Sequence, residues 1–196
     1  MKFLKNRLAL VFLLALLVSA GVVLLAIAQS NIMSETTIDL SQLKDPRIVI
    51  RKTKRMLEVF DGNKLIKTYT VVLGFTPTGD KEIEGDGKTP EGEFYVFTKN
   101  TESRFHLSLG ISYPARDDAE RGLKANLITR EEHDSIANSI ADKGMPLQKT
   151  KLGGEIYIHG GGIAEDWTDG CVALKNEEIE ELFAAIPIGT LVIIEK

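Results

Sequence analysis

The chain holds one cysteine and three histidines, and the stretch around two of these residues is spaced for nucleophilic chemistry. Ile156 to Leu174 reads IYIHGGGIAEDWTDGCVAL. A run of β-formers ends at His159, Gly160, Gly161 and Gly162 follow, and Gly170-Cys171 comes twelve residues after the histidine. A thiol attacks as its thiolate, so near neutral pH it needs a base close by. An imidazole delivered at a strand end, followed by a loop that turns back, supplies one. The glycines allow positive φ and close backbone approach. A Gly directly before the nucleophile also frees neighbouring backbone N–H groups to face a developing oxyanion. The competing reading is a buried cysteine near an unrelated histidine, and the spacing alone leaves it open.

The setting of the thiol decides how much weight it carries. Met1 to Arg7 holds Lys2, Lys5 and Arg7 and no acid, and Leu8 to Ala28 runs for 21 residues without a charge. That length spans a hydrocarbon core of about 30 Å, with the basic flank left in the cytoplasm. The run ends in Ala26-Ile27-Ala28, an A-x-A-like pattern. Residues 1–28 therefore read as an uncleaved anchor or as a signal peptide cleaved near Ala28. A buried core helix would show a polar face, and this segment has none. Either reading exports the remainder of the chain, and the membrane partner is reached through the N-terminal helix. In an oxidising compartment a lone cysteine cross-links chains or remains for chemistry. In the cytosol it would more often be a small buried hydrophobe. Beyond the leader, 21 Lys and Arg stand against 28 Asp and Glu, a balance of −7. An acidic domain argues against nucleic acid as a partner and against a polybasic grip on anionic lipid.

These side chains must be positioned by a mainly β domain. Residues 29–46 are mixed and polar and read as a linker, and residues 47–196 read as one domain. Ile48-Val49-Ile50 opens it. Arg55 to Phe60 and Lys64 to Leu73 alternate around Asp61-Gly62-Asn63, which predicts a hairpin. Gly74 to Gly92 reads as a long loop. Glu93 to Thr98, Phe105 to Leu109, Glu155 to His159 and Leu191 to Ile194 read as strands. Two helices are expected. One covers Arg130 to Asp142 behind Thr129. The other covers Asn176 to Ala185, with Asn176 as N-cap and Ile179, Leu182, Phe183 and Ile186 inward. The expected fold is a twisted β-sandwich or open barrel with a few short helices, carrying its chemistry on loops.

His159-Gly160 followed by Thr168-Asp169-Gly170-Cys171 resembles the signature of the L,D-transpeptidase (YkuD-type) catalytic domain. Asp86-Gly87-Lys88-Thr89-Pro90-Glu91-Gly92-Glu93-Phe94 is similar to that family's K-T-P-x-G-x-F segment, and Phe105 to Pro114 to the strand and loop between the two motifs. Order and spacing agree across roughly residues 46–196. The commoner pattern is Ser-His-Gly-Cys with Arg two residues on. This chain has Thr168-Asp169-Gly170-Cys171 and Ala173, and resembles a subgroup with Asp166-Trp167-Thr168 before Gly-Cys. Whatever an Arg at position 173 would hold must be held otherwise.

The resemblance implies acyl transfer on peptidoglycan stem peptides. Cys171 would attack the third stem residue and His159 would move the protons. The Gly160 carbonyl would fix the imidazole tautomer, and the N–H groups of Asp169, Gly170 and Cys171 would form the oxyanion hole. No cofactor is implied, and one Cys with scattered acids gives no zinc spacing. Trp167, Thr168 and His106 are candidate substrate contacts, each with an ordinary structural alternative. His133, among Glu131, Glu132 and Asp134, reads as solvated, and Arg104, Arg116 and Lys88 could meet stem carboxylates or be plain surface charge. Water in place of the amine acceptor would make the protein a carboxypeptidase. A non-catalytic wall-binding module would lack a paired nucleophile, and a thiol-redox protein would want a second cysteine.

Overall fold

The structure, a computed structural model, describes residues 40–196. The expected leader helix over residues 8–28 and most of the linker lie outside the described residues. Among those described, no helix is long and apolar enough to cross a membrane.

Eight strands form one sheet. They are β1 (Pro46–Arg51), β2 (Met56–Asp61), β3 (Lys64–Thr70), β4 (Gly92–Ser103), β5 (His106–Ile111), β6 (Tyr157–His159), β7 (Val172–Ala173) and β8 (Leu191–Glu195), in the order β3-β2-β1-β8-β4-β5-β6-β7. The last segment of the chain thus enters the middle of the sheet, where β8 runs parallel to β1 and antiparallel to β4. The sheet then curls back on itself. Just past β3, Val72 bridges Ala173 and Gly74 bridges Thr168. The first and last strands of the order therefore meet through the continuation of β3, and the domain is the curled barrel form of the expected β architecture. Closing the edge in this way also removes unpaired backbone groups beside the loop that carries Cys171.

Alternation explains which side is filled. Ile48, Ile50, Leu57, Val59, Val96, Leu109, Ile111, Ile158, Val172 and Val192 are all fully buried in the main core. Helix α3 (Asn176–Ala185) closes one side with Ile179 and Leu182, joined by Ile186 just past its end, each fully buried. Burying side chains of this size stabilises by about 1.5–3 kcal/mol each, enough to hold a ten-residue helix that would be marginal alone. A second small core, of Ala119, Ile128, Ile136 and Leu152, joins α1 (Arg116–Lys124) and α2 (Arg130–Ala141) to the segment before β6. Thr129 caps α2 as expected, accepting from the Glu132 N–H while the Glu132 carboxylate accepts from the Thr129 N–H.

Three sequence expectations need correction. Strand β4 extends to Ser103, past the predicted end at Thr98, because it pairs with β8 at its start and with β5 along its second half. Helix α1 lies where the sequence predicts none. Its sequence, RDDAERGLK, buries only Asp118, Ala119 and Gly122, so it shows little apolar period. Asn176 is not the N-cap of α3. Lys175 holds that position, and its N–H is taken by the Glu178 carboxylate at 3.1 Å. The Asn176 side chain instead serves the glycine turn after β6.

The long loop between β3 and β4 is stapled by Lys52. This lysine is 2 % exposed, and its ammonium reaches the carbonyls of Gly79 (2.5 Å) and Thr89 (2.7 Å) and the Glu91 carboxylate (2.9 Å). A buried ammonium is tolerated only with its donors satisfied, and here three acceptors do so.

Candidate active site

Strands β6 and β7 run parallel with Ile158 beside Val172 and His159 beside Ala173. Ile158 and Val172 point into the core. The alternation of a strand then turns Tyr157 and His159 to the opposite face. One residue before β7, Cys171 comes level with Tyr157, and the Tyr157 N–H donates to its sulfur at 3.4 Å. Thiol and imidazole are therefore diagonal neighbours across the strand pair. Both line a cleft of about 1360 Å³, bounded by the β4–β5 hairpin tip on one side and residues 148–156 on another.

No hydrogen bond joins the two groups. The Cys171 thiol donates to the Glu155 carbonyl at 3.5 Å, a carbonyl aimed by a non-glycine residue at φ +54°. Burial of the sulfur at the cleft floor pushes the thiol up to about 11, the Tyr157 N–H opposes this, and the Asp169 carboxylate adds to it. Burial likewise holds the His159 pKa below its ordinary value. The Gly160 carbonyl works the other way and the Arg104 charge works with burial. Both shifts favour the uncharged forms, a thiol and a neutral imidazole, at rest.

The imidazole is held at Nδ1 and by two aromatic rings. Its Nδ1 meets the Gly160 carbonyl at 2.6 Å. A carbonyl only accepts, so Nδ1 carries the proton and Nε2 keeps its lone pair. The Phe105 ring stacks on the imidazole at 4.6 Å and 20°, and Trp167 meets it edge-on at 5.6 Å. Gly160 is a glycine for lack of room: a Cβ there would sit 2.6 Å from the Asn176 Oδ1 and 2.8 Å from the Phe105 carbonyl. Asn176 spends its side-chain oxygen on the Gly161 N–H at 2.9 Å, which ties the glycine turn to α3.

The loop leading to Cys171 is anchored through Asp166. Its carboxylate accepts from Arg55 Nε (3.1 Å) and Nη2 (2.7 Å) and from the Leu73 N–H (2.8 Å). The Thr168 hydroxyl donates to the Cys171 carbonyl at 2.7 Å and accepts from the Gly170 N–H at 3.2 Å. Of the three expected oxyanion donors, Gly170 is therefore already engaged, leaving Asp169 and Cys171. Gly170 has φ +129°, and a Cβ there would meet the Lys88 carbonyl at 2.6 Å. The K-T-P motif thus backs the Gly170-Cys171 turn directly, and its Thr89 hydroxyl accepts from the Gly74 N–H at 3.0 Å.

The structure therefore brings together Cys171, His159, Gly160, Trp167, Thr168 and Asp169. It does not bring in His106, which is absent from the cleft lining. That residue has φ +77°, which turns its exposed ring onto Glu180 of α3 at 2.6 Å. His133 pairs with Asp134 at 2.8 Å, on α2. Sequence reasoning missed Phe105, Tyr157, Glu155, Arg55 and Ser108, which also lines the cleft. At position 173 the alanine is fully buried, and Arg55 reaches this loop through Asp166. Among the described residues no cluster of three or more His, Cys, Asp or Glu is arranged to hold a metal ion.

A lone thiol and a tautomer-fixed imidazole thus share one face of a curled β-barrel, with a glycine-backed loop under the thiol. The chain belongs to the YkuD family, the L,D-transpeptidase catalytic domain, whose model matches residues 45–194. It is similar to YqjB of Bacillus subtilis (strain 168), provisionally named an L,D-transpeptidase, at 28% identity over 155 residues covering 76% of this chain and 71% of that one. Among solved structures it resembles the helical cell shape determining protein Pgp2 of Campylobacter jejuni, with TM-score 0.55, 24% identity and 85% of this chain covered. It also resembles Bd1075 of Bdellovibrio bacteriovorus, with TM-score 0.50, 21% identity and 81% covered. The matched part spans about half of each of those two chains, 53% and 51%.

Proposed function

We propose that this protein is a peptidoglycan L,D-transpeptidase with Cys171 as nucleophile and His159 as the group that moves protons. The observation that carries the reading is the shared face of β6 and β7: His159, with Nδ1 spent on Gly160, keeps Nε2 for the cleft in which the Cys171 sulfur lies. The thiol proton passes to Nε2 and the thiolate attacks the carbonyl carbon of the third stem residue. The negative oxygen is received by the Asp169 and Cys171 amides. The C–N bond to the terminal D-residue then breaks, and Nε2 returns its proton to the leaving nitrogen. A thioester on Cys171 remains. An amine on a second stem gives a proton to Nε2 and attacks, the C–S bond breaks, and the thiolate recovers the proton.

The neutral resting pair supports this order of events. An imidazole whose pKa lies below the ordinary value is unprotonated near neutral pH and ready to act as base. The thiol must leave the Glu155 carbonyl and turn toward Nε2 as the stem enters.

Export follows from the same reading, since the stems lie outside the cytoplasm. Residues 1–28 supply it as an anchor with the N-terminus inside or as a cleaved signal. Cross-links of this kind remodel the wall. Pgp2 is a helical cell shape determining protein, and a contribution to cell shape is the expected consequence here too. The deciding experiment incubates the protein with disaccharide-tetrapeptide and reads the products by mass spectrometry. Cross-linked dimer is expected. Tripeptide alone would replace transfer by hydrolysis, and unchanged substrate with wild-type Cys171 would overturn the reading.

A further inference from the structure

Strand β5 presents Leu107, Leu109 and Ile111 to the core, so Ser108, Gly110 and Ser112 take the other face. On that face Ser112 is committed, since its hydroxyl accepts the Tyr95 N–H at 2.9 Å. Ser108 differs. It is 3 % exposed, lines the cleft, and its hydroxyl has no hydrogen-bond partner among the described residues. The hydroxyl is not among the buried polar atoms left without a partner, so it opens on the cleft, where it can bind a ligand.

The register says which one. Ser108 stands directly opposite His159 in the antiparallel β5–β6 pair, and side chains so placed are close neighbours, with Cβ atoms about 5 Å apart. His159 Nδ1 is occupied by the Gly160 carbonyl, so proton traffic runs through Nε2. A nitrogen that exchanges a proton with Nε2 must come within about 3 Å of it. A hydroxyl beside the ring reaches that same nitrogen. A serine hydroxyl accepts an N–H readily.

We propose that Ser108 is a catalytic residue that binds the reacting nitrogen: the scissile amide N–H of the donor stem and then the N–H of the incoming amine. In the first step the accepted N–H turns the lone pair of the leaving nitrogen toward protonated Nε2; in the second, holding one amine N–H leaves the lone pair facing the thioester carbon and another N–H facing Nε2. No bond to Ser108 forms, and the proton still moves between His159 and the nitrogen. The inference rests on the L,D-transpeptidase reading. It gives Ser108 a part in steps that involve an N–H-bearing nitrogen and no part in ionising the thiol.

That division supplies the test. A β-lactam nitrogen carries no hydrogen, and iodoacetamide requires only the thiolate. In the full-length protein, Ser108→Ala should lower turnover of disaccharide-tetrapeptide by about tenfold or more. It should leave β-lactam adduct formation at Cys171, and the rate and pH profile of iodoacetamide alkylation, at wild-type values. Ser108→Thr, which keeps a hydroxyl, should recover part of the peptide turnover. Wild-type peptide turnover in Ser108→Ala would overturn the proposal. So would a loss shared equally by peptide, β-lactam and iodoacetamide, because the serine would then act on the fold or on His159. Failure of the L,D-transpeptidase reading looks different: wild-type protein is alkylated normally but leaves the peptide untouched, and the proposal falls with it.

Discussion

On the floor of the cleft the groups around the nucleophile are bound to one another: Tyr157 N–H to the sulfur, Thr168 hydroxyl to the Cys171 carbonyl, Asp166 to Arg55 and Leu73, Gly160 to His159. On the walls, Lys149 and Lys151 form no ion pair among the described residues, and the exposed Arg104 lies over the Phe105 ring at 4.6 Å. Apart from the Arg55–Asp166 clamp at its edge, the floor is built from backbone amides, carbonyls and short side chains, whose positions are set by strand register. The walls are built from long charged side chains that meet solvent. Reactivity should therefore respond sharply to small changes below the substrate, and binding should respond gently to large changes beside it.

The largest break is removal of the nucleophile. Cys171→Ala should abolish acyl transfer and leave the circular dichroism spectrum intact. Wild-type turnover in this variant would end the floor's claim to the chemistry. Next is Gly170→Ala. The added methyl would lie 2.6 Å from the Lys88 carbonyl, at a φ of +129°, so the nucleophile must shift. Misplacement on this scale costs about 10²-fold in rate, read as kcat on disaccharide-tetrapeptide with KM little changed.

Asp166→Asn should fall between floor and wall. The amide keeps an acceptor for the Leu73 N–H but loses the charge paired with Arg55. Both partners are part-exposed, at 33% and 21%, so the stability cost is about 1 kcal/mol or less, or a fall in Tm of a few degrees. Turnover should drop by about tenfold, since the loop carrying Trp167, Thr168 and Cys171 is tied down here. A variant with lowered Tm and full turnover would make the clamp purely structural. The smallest effect is expected at the wall. Lys149→Ala should raise KM by a factor of about two to five and leave kcat alone, as loss of a single screened surface charge would. A fall in kcat would move Lys149 into the machinery.

The same contrast explains what could be read in the sequence. Cys171, His159 and Gly160 lie in one contiguous stretch, and the β3–β4 loop motif that backs Gly170 is local too. The β2–β3 hairpin and α2 were legible for the same reason, from alternation and a capping pattern within a few residues. Phe105, Arg55 and Ser108 were not. Phe105 reaches His159 only because β4 and β5 pair out to Ser103 and His106. Arg55 meets Asp166 across 111 positions. Ser108 matters only through the β5–β6 register. Asn176 went wrong for a related reason: its local sequence fits an N-cap, but the Gly161 N–H, brought near by the barrel, takes its oxygen.

The central claim is that His159 serves Cys171 as base from a neutral resting pair. Its most direct test is the pH dependence of Cys171 acylation in wild type, His159→Gln and His106→Gln, followed by intact mass. The folded imidazole has its pKa lowered from 6.5, so the base form persists as pH falls below that value. Wild-type acylation should hold level through pH 6.5 and decline only in more acid solution. His159→Gln should be slower by about 10²-fold near neutrality. Its rate should then climb steadily with pH as hydroxide ionises a thiol whose pKa is about 11. His106→Gln, whose ring lies on Glu180 outside the cleft, should follow the wild type. Loss of acylation in His106→Gln, with His159→Gln nearly silent, would contradict the account.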